Sequence, residues 1–510
     1  MNNIAMTDGW FKTASPESQG ISSKAVIRCL EKIKATGLFM HSFHIFRNGH
    51  LVAGGCADPI APEMKRRAYS VMKSVTALAI YFCVQEGKLS LDDKVIDYFP
   101  EVKSADRNDP NLKKLTIRDI LMMSAGHKLD AQREYDRKRF GSGSIPKTYR
   151  ESNDPVGSDR SEDRTLKEMF FGLPFEAEPG KEFFYENAIP EIVGMLVEKT
   201  SGENYFDYLR PRLFEPLDID ICRCLRMPEY DGTERNFSAT AVMTLRDMLK
   251  IGSFYLQRGC WGEKQLLKAD IMDDGTRCHI STRDYAAAHI NNGFSMDRDA
   301  SGYGYQLWMN KFGGYTLMGG TSQACICIPD KKLMISFACF DMREASSQDL
   351  DITRIIKDEI INDIKDRPLE EDPKAFALMS RLFDEWTTAP VLSAARKPEA
   401  DGKVFAAKEN DLGIKSVCLD QNKRTIRFEM TGGDERILSY GINGRFEKNS
   451  CGLGHSTDGY SMIFFTDPDE VYASGGWDGT DFILELHYTA HMNNDKCRLT
   501  FADDTVSIKG

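Results

Sequence analysis

A mixed α/β region, two helical stretches and a C-terminal all-β domain are what the sequence predicts, and three observations carry this. The chain has 510 residues, roughly three times the ~150 residues of an average domain, so a large core with an appended domain is expected. Strand-like and helix-like patterns mix up to about residue 345. Beyond Pro390 the apolar period becomes two, as in Thr425-Ile426-Arg427-Phe428-Glu429-Met430, which is the pattern of half-buried strands.

Taken in order, Ser42 to Arg47 and His50 to Ala53 read as a hairpin, because Asn48-Gly49 supplies the tight turn between them. Val71 to Gly87 reads as a helix that is apolar nearly all round, hence buried. A second helix starts at Leu115-Thr116-Ile117 and stops by Gly126. Residues 128 to 165 are polar and mixed in charge, and read as a long loop or lid. Tyr315 to Met318, Ala324 to Ile328 and Leu333 to Phe340 read as consecutive strands, and Asp349 to Ile364 and Ala375 to Trp386 as helices. Phe482, Leu484, Leu486 and Tyr488, then Cys497, Leu499 and Phe501, repeat the two-residue alternation. The expected division is a first domain over 1–345, a helical connector over 346–395 and an all-β sandwich or small barrel over 396–510.

Composition narrows the function classes. Hydrophobic residues make 41% and charged residues 28% of the chain, with a formal net charge of −11. That sign argues against nucleic acid or an anionic membrane as partner. The first eight residues carry no basic region followed by an apolar one, and no apolar run approaches a membrane span. Thirteen scattered cysteines fit free thiols in a reducing, cytoplasmic setting. Cys222, Cys224, Cys278 and His279 have no CxxC pair among them, so no metal is expected.

Two Ser-x-x-Lys strings occur. Ser144-Ile145-Pro146-Lys147 lies in the polar loop, where Pro146 opposes a helix. Ser70-Val71-Met72-Lys73 opens the apolar helix, where positions three apart share a face, so the Lys73 amine reaches the Ser70 hydroxyl. There Ser70 stands at the helix N-terminus, which favours developing negative charge. The bland alternative is a helix-capping serine with a solvated lysine. Tyr185-Glu186-Asn187 precedes another apolar helix; a tyrosine there can pass a proton, and an asparagine can bond both the lysine and a substrate carbonyl. A buried structural tyrosine is its bland reading. His44 and His50 flank the hairpin turn and read as structural, whereas His127 follows a turn that could bring it to a cleft.

Together these strings resemble the serine β-lactamase and penicillin-binding-protein superfamily, whose signature is Ser-x-x-Lys. Tyr-x-Asn in second place marks its class C-like branch, which includes family VIII carboxylesterases and D-aminopeptidases. Tyr69 to Ser74, Gly87 to Asp93, Thr116 to Gly126, Pro179-Gly180, Thr200 to Gly202, Glu215 to Leu217 and Gly302 to Trp308 fit the same template. The resemblance covers residues 14 to 345 and implies a β-lactamase-like α/β fold, an antiparallel sheet flanked by helices with an all-α subdomain. It makes Ser70 the acylated nucleophile, Lys73 its activator, Tyr185 the proton relay and Asn187 the substrate-positioning residue. The backbone amides of Ser70 and Gly320 become the oxyanion hole.

The third motif departs from the family. Where relatives have Lys-Thr-Gly or His-Thr-Gly, this chain has Leu317-Met318-Gly319. Gly319 keeps room for substrate backbone, while Leu317 and Met318 replace the cation and hydroxyl that grip a carboxylate. The expectation is a serine hydrolase that needs no cofactor and cleaves a small-molecule ester or amide lacking an essential carboxylate; homo-oligomerisation stays open. Its rivals are a D-peptidase or β-lactamase anchored by Arg133, Arg137 or Lys138, and a binding or sensor protein of the same fold that has lost turnover.

Overall fold

The computed structural model describes residues 11–103, 106–140, 164–219, 225–228, 234–237, 241–289, 301–320, 322–340, 348–388, 392–453, 471–488 and 493–509. Strands β1 (Lys12–Thr13), β2 (Phe39–Arg47) and β3 (His50–Cys56) come first. Three short ribbons follow, β4 (Lys65–Arg67) with β7 (Val242–Thr244), β5 (Leu225–Pro228) with β6 (Glu234–Phe237), and β8 (Cys260–Trp261) with β9 (Lys264–Gln265). Then come β10 (Trp308–Met309), β11 (Tyr315–Gly319), β12 (Gln323–Ile328) and β13 (Leu333–Phe340). The central sheet has the order β1-β3-β2-β13-β12-β11-β10 and is antiparallel except where β1 pairs with β3. The hairpin joins β2 to β3 as the sequence predicts, with Asn48 and Gly49 both at positive φ, 50° and 81°.

Helices cover both faces of this sheet. Helix α1 (Ser23–Ala35) lies on one face. The chain next forms α2 (Val71–Gln85), α3 (Ile117–Leu121), α4 (Ala131–Phe140), α5 (Leu166–Gly172), α6 (Ile189–Ser201) and α7 (Tyr205–Leu209). After these come α8 (Leu245–Leu256), α9 (Ala269–Thr276), α10 (Arg283–Ala288), α11 (Gln348–Ile356) and α12 (Pro373–Asp384). Val26 and Ile33 of α1, Ile352 of α11 and Phe383 of α12 pack with Ile45, Ile326, Ile335 and Phe337 of the sheet. Leu317, Cys325, Cys327 and Met334 point the other way, into a core shared with Val71 and Val75 of α2 and Leu249 of α8. This two-sided cover explains why β12 is apolar at nearly every position rather than alternating.

Helix α2 is buried from Val71 to Cys83 because the sheet and the α3–α7 helical part enclose it. Helix α3 begins at a reciprocal capping box of Thr116 and Asp119. The polar segment expected to be a loop from residue 128 is helical over Ala131–Phe140, which corrects that reading for its first part. Among its described side chains the apolar ones are Ala131 and Tyr135, both buried at i, i+4 spacing, a stripe too narrow to show against so many charges. The remainder of that polar stretch, with the Ser144-x-x-Lys147 string, lies outside the described residues.

The C-terminal part is β14 (Val404–Ala407), β15 (Ile414–Asp420), β16 (Thr425–Met430), β17 (Glu435–Ser439), β18 (Glu447–Asn449), β19 (Val471–Asp478), β20 (Asp481–Tyr488), β21 (Asn493–Ala502) and β22 (Thr505–Lys509). They form one sheet in the order β17-β16-β15-β14-β22-β21-β20-β19-β18. Its two end strands meet through Asn449, whose side chain accepts from Ser439 N at 2.7 Å and donates to Ser439 O at 2.9 Å. Of the two expected forms, the curled single sheet makes this a small barrel.

Strand β20 is buried on both faces. Phe482, Leu484 and Leu486 fill the barrel core, while Ile483, Glu485 and His487 are buried on its outer side. The His487 ring lies 6.4 Å from that of His41 on β2, so this outer side abuts the first domain. Among the described residues no helix is long and apolar enough to cross a membrane, and the described cysteines are free.

Glu485 is 4% exposed, and burial pushes its carboxyl up to about 7 against the opposing pull of Lys496 at 3.7 Å. A raised folded-state value means stability is lost as pH rises from the ordinary carboxylate range through about 7. Glu485→Gln is therefore expected to stabilise the protein at pH 8, by roughly 1–3 kcal/mol, and to do little at pH 5. Chemical denaturation at both pH values checks this; an equal effect at both would show that the charge is not what matters.

Candidate active site

Helix α2 begins beneath the edge of β11, and the approach is close. A Cβ on Gly319 would sit 2.8 Å from Ala68 O and 3.1 Å from Val71 Cγ2, so glycine is required for the strand to lie against the turn that delivers Ser70. To the sequence-based reason for Gly319, room for a substrate, the structure adds room for the protein's own backbone. The turn is tied down on both sides: Ala68 N donates to Ala241 O at 2.9 Å, and Gln323 Nε2 donates to Arg67 O at 2.9 Å. Tyr69 takes a left-handed conformation, φ 46°, which is uncommon for a residue with a Cβ. It turns the chain sharply into the helix.

Ser70 is the N-cap of α2, yet its hydroxyl makes no capping bond. It accepts instead from Lys73 Nζ at 3.0 Å. Lys73 is 5% exposed, so neither half of the capping-serine, solvated-lysine reading holds. Its ammonium also donates to Asn187 Oδ1 at 3.1 Å and lies 4.9 Å from the centre of the Tyr185 ring. The Ser70–Lys73 pair and the Tyr185–Asn187 pair, more than 100 residues apart in sequence, lie together.

The Tyr-Glu-Asn loop is held from three directions. Phe184 N donates to Met123 O at 2.8 Å, just beyond α3. The Tyr185 ring stacks on Trp308 of β10 at 5.7 Å and 22°. Glu186 turns inward, 1% exposed, where His127 Nδ1 lies 3.1 Å from both carboxylate oxygens and Ala131 N donates at 3.3 Å. His127 is itself buried against Phe170 and Phe175 and stays out of the cleft. Asn187 is gripped at its far end by Asp130, Nδ2 to Oδ2 at 2.7 Å. Sequence reasoning met Trp308 only as the end of the Gly302 to Trp308 run, with no role, and did not name Asp130; Asp130 sat among many charges, and only its place just ahead of a helix could have marked it.

The two pocket candidates separate. Leu317 is 0% exposed and belongs to the core below the sheet, so it offers no surface to a ligand. Met318 packs against the same core but is only half-buried, so of the pair it is the side chain that keeps exposed surface. Gly320 follows directly, its Cα side 3.4 Å from the Tyr69 ring for an added Cβ. Cys222 and Cys224 lie outside the described residues, and His279 stacks on Tyr305 at 4.0 Å and bonds Asp274 O. Among the described residues no His, Cys, Asp and Glu side chains are grouped to hold a metal.

A sheet covered on both faces, with a serine and a buried lysine opening the enclosed helix, agrees with what known proteins share with this chain. The family model Beta-lactamase matches residues 39–358, more than half of the chain, and the chain belongs to that family. Protein flp of Staphylococcus aureus (strain MW2) is 25% identical over 159 residues, 31% of this chain and 28% of its own length. Lovastatin esterase of Penicillium rubens is 26% identical over 161 residues, 29% of this chain and 37% of its own. These alignments therefore span well under half of either relative. A Bacteroides dorei crystal structure, assigned as a β-lactamase, superposes with a TM-score of 0.50 at 14% identity, over 67% of this chain and 99% of that one. That likeness shows the fold.

Adding a methyl at Gly319 must displace the Ser70 turn. Gly319→Ala is expected to lower stability by roughly 1–3 kcal/mol and to slow reaction of Ser70 with a fluorophosphonate. Denaturant titration and timed mass spectrometry read the two effects; a variant equal to wild type in both would show the strand can move away freely.

Proposed function

We propose that the chain is a serine hydrolase of the class C β-lactamase-like branch that cleaves a neutral small-molecule ester or amide through an acyl-enzyme on Ser70. The observation that carries this is the buried Lys73 amine, 3.0 Å from Ser70 Oγ and 3.1 Å from Asn187 Oδ1. With the amine neutral, the same contact lets Ser70 Oγ–H donate to Nζ, which is what a general base requires. Oγ then attacks the carbonyl carbon as its proton passes to Nζ. The oxyanion forms against the backbone amides of Ser70 and Gly320, where preorganised donors stabilise developing charge. Tyr185 passes the proton on to the leaving alcohol or amine, and water takes its place to release the acid.

Met318 supplies an apolar side chain where a carboxylate-binding member would present a polar one, which supports a neutral substrate. Lovastatin esterase, by its name, acts on an ester, and this supports ester cleavage. No cofactor takes part in this reading. Free thiols fit a reducing, cytoplasmic setting, and the catalytic domain is placed over 1–345, with the connector over 346–395 and the β domain over 396–510. A second reading, a D-peptidase or β-lactamase, rests on Arg133, whose side chain is 80% exposed and 3.6 Å from Asp130 beside Asn187.

Ser70→Ala is expected to abolish p-nitrophenyl ester turnover and fluorophosphonate labelling while leaving the melting temperature nearly unchanged. Retained turnover would remove Ser70 from the nucleophile's role. Dialysis against a strong chelator should leave the activity as it was.

Neutral esters should exceed carboxylate-bearing analogues in kcat/KM by at least about tenfold, and Met318→Lys should narrow that gap. A wild-type preference for the carboxylate, lost in Arg133→Ala, would put the peptidase or β-lactamase reading ahead.

A further inference from the structure

Asn187 must present its carbonyl oxygen, not its amide nitrogen, to Lys73, because an ammonium has donors only and a neutral amine whose lone pair accepts from Ser70 has only N–H groups left to offer. Nothing intrinsic to asparagine ensures this, since the two ends of the amide are nearly the same shape. We propose that Asp130 is a positioning residue that fixes which end of the Asn187 amide faces Lys73, an inference that rests on the function proposed above.

Two bonds join Asp130 to Asn187. Asn187 Nδ2 donates to Asp130 Oδ2 at 2.7 Å, and Asn187 N donates to Asp130 Oδ1 at 3.2 Å. An ionised carboxylate only accepts, so it captures the NH2 end and leaves Oδ1 for Lys73, 3.1 Å away. Turning the amide over would set two acceptors against each other at one end and two donors at the other, with both bonds lost. Asp130 is itself fixed as the residue ahead of α4, where its Oδ1 accepts from Gln132 N at 3.0 Å. It is 9% exposed. The partly buried chain Asp130–Asn187–Lys73–Ser70 therefore runs from the start of α4 through the Tyr-Glu-Asn loop to α2, every link a hydrogen bond.

The carboxylate holds this role only while ionised, because a protonated Asp130 can donate as well as accept. Burial and the neighbouring Glu186 push its carboxyl up, while Asn187 and Arg133 pull it back. The groups facing it are Glu186 of the loop, Arg133 of α4, Tyr285 of α10 and, through Asn187, Lys73 of α2. An acid limb in kcat/KM lying above the ordinary carboxylate range follows from that shift.

Asp130→Asn tests this in the full chain, since asparagine keeps the size and the helix-capping acceptor and loses only the one-way acceptance. Fluorophosphonate should still label every chain once, which counts folded sites. The labelling rate and kcat should fall at least about tenfold with KM little changed, and the acid limb should be lost. Asp130→Ser also retains a cap and carries the same expectation if Asp130→Asn does not fold. Full labelling at the wild-type rate with the acid limb intact, in either variant, overturns the assignment.

The side-chain amide signal of Asn187, recognised in nitrogen-15 spectra by its absence in Asn187→Ala, gives a reading that needs no turnover. In the wild type it should move with the ionisation of Asp130, and in Asp130→Asn it should not. Were the wild type to take no label at Ser70, the proposed function would fail while this signal still decided the placement of Asn187; a signal indifferent to Asp130 overturns it.

Discussion

An ammonium group buried among apolar side chains is the constraint on which the catalytic half of this protein depends. Removing a charge from water is expensive unless it is paired and fully hydrogen-bonded. Lys73 finds its three partners on two separate pieces of chain: Ser70 one turn back at the start of its own helix, and on the Tyr-Glu-Asn loop both Asn187 Oδ1 and the face of Tyr185, itself seated on Trp308. Each partner has a support of its own. The β11 strand presses on the Ser70 turn, the buried His127–Glu186 pair anchors the loop, and Asp130 holds the far end of Asn187. The sheet takes part only indirectly, through Trp308 under Tyr185 and Gly319 against the Ser70 turn.

The barrel at the C-terminus obeys a different rule. Strands such as β16 alternate, since one face meets the barrel core and the other meets water, whereas β19 and β20 are covered on both faces. That exception places polar groups, Glu485 and His487, in a buried layer against the first domain. Burial drives the His487 ring down to about 3, so it stays neutral there. The same layer that joins the domains thus carries the groups most sensitive to solvent.

Much of this was legible beforehand because its signals are local. The three-position spacing of Ser70 and Lys73 put both on one helical face, the apolar length of α2 announced its enclosure, and Asn48-Gly49 named its own turn. Tyr185 and Asn187 could be read from their string. What escaped depends on contacts across the fold. Asp130 touches Asn187 from 57 positions away, and no periodicity marks a lone buried acid inside a charged segment. Helix α4 has too few apolar residues to show a period. Leu317 lies next to Met318 in sequence, yet the first is sealed in the core and the second only half-buried against it, a difference no local pattern marks.

The close contact at Gly319 bears on how such sequences are sorted. Because the methyl-sized gap is filled by Ala68 O and Val71, any chain that seats this strand on this helix start needs the glycine, whether or not it turns over a substrate. Finding the glycine in a third motif therefore reports that the two halves dock. It is silent on catalysis. A descendant that kept the architecture for ligand capture alone would retain Gly319 unchanged, and its lapse would be visible first at Lys73 and Asn187.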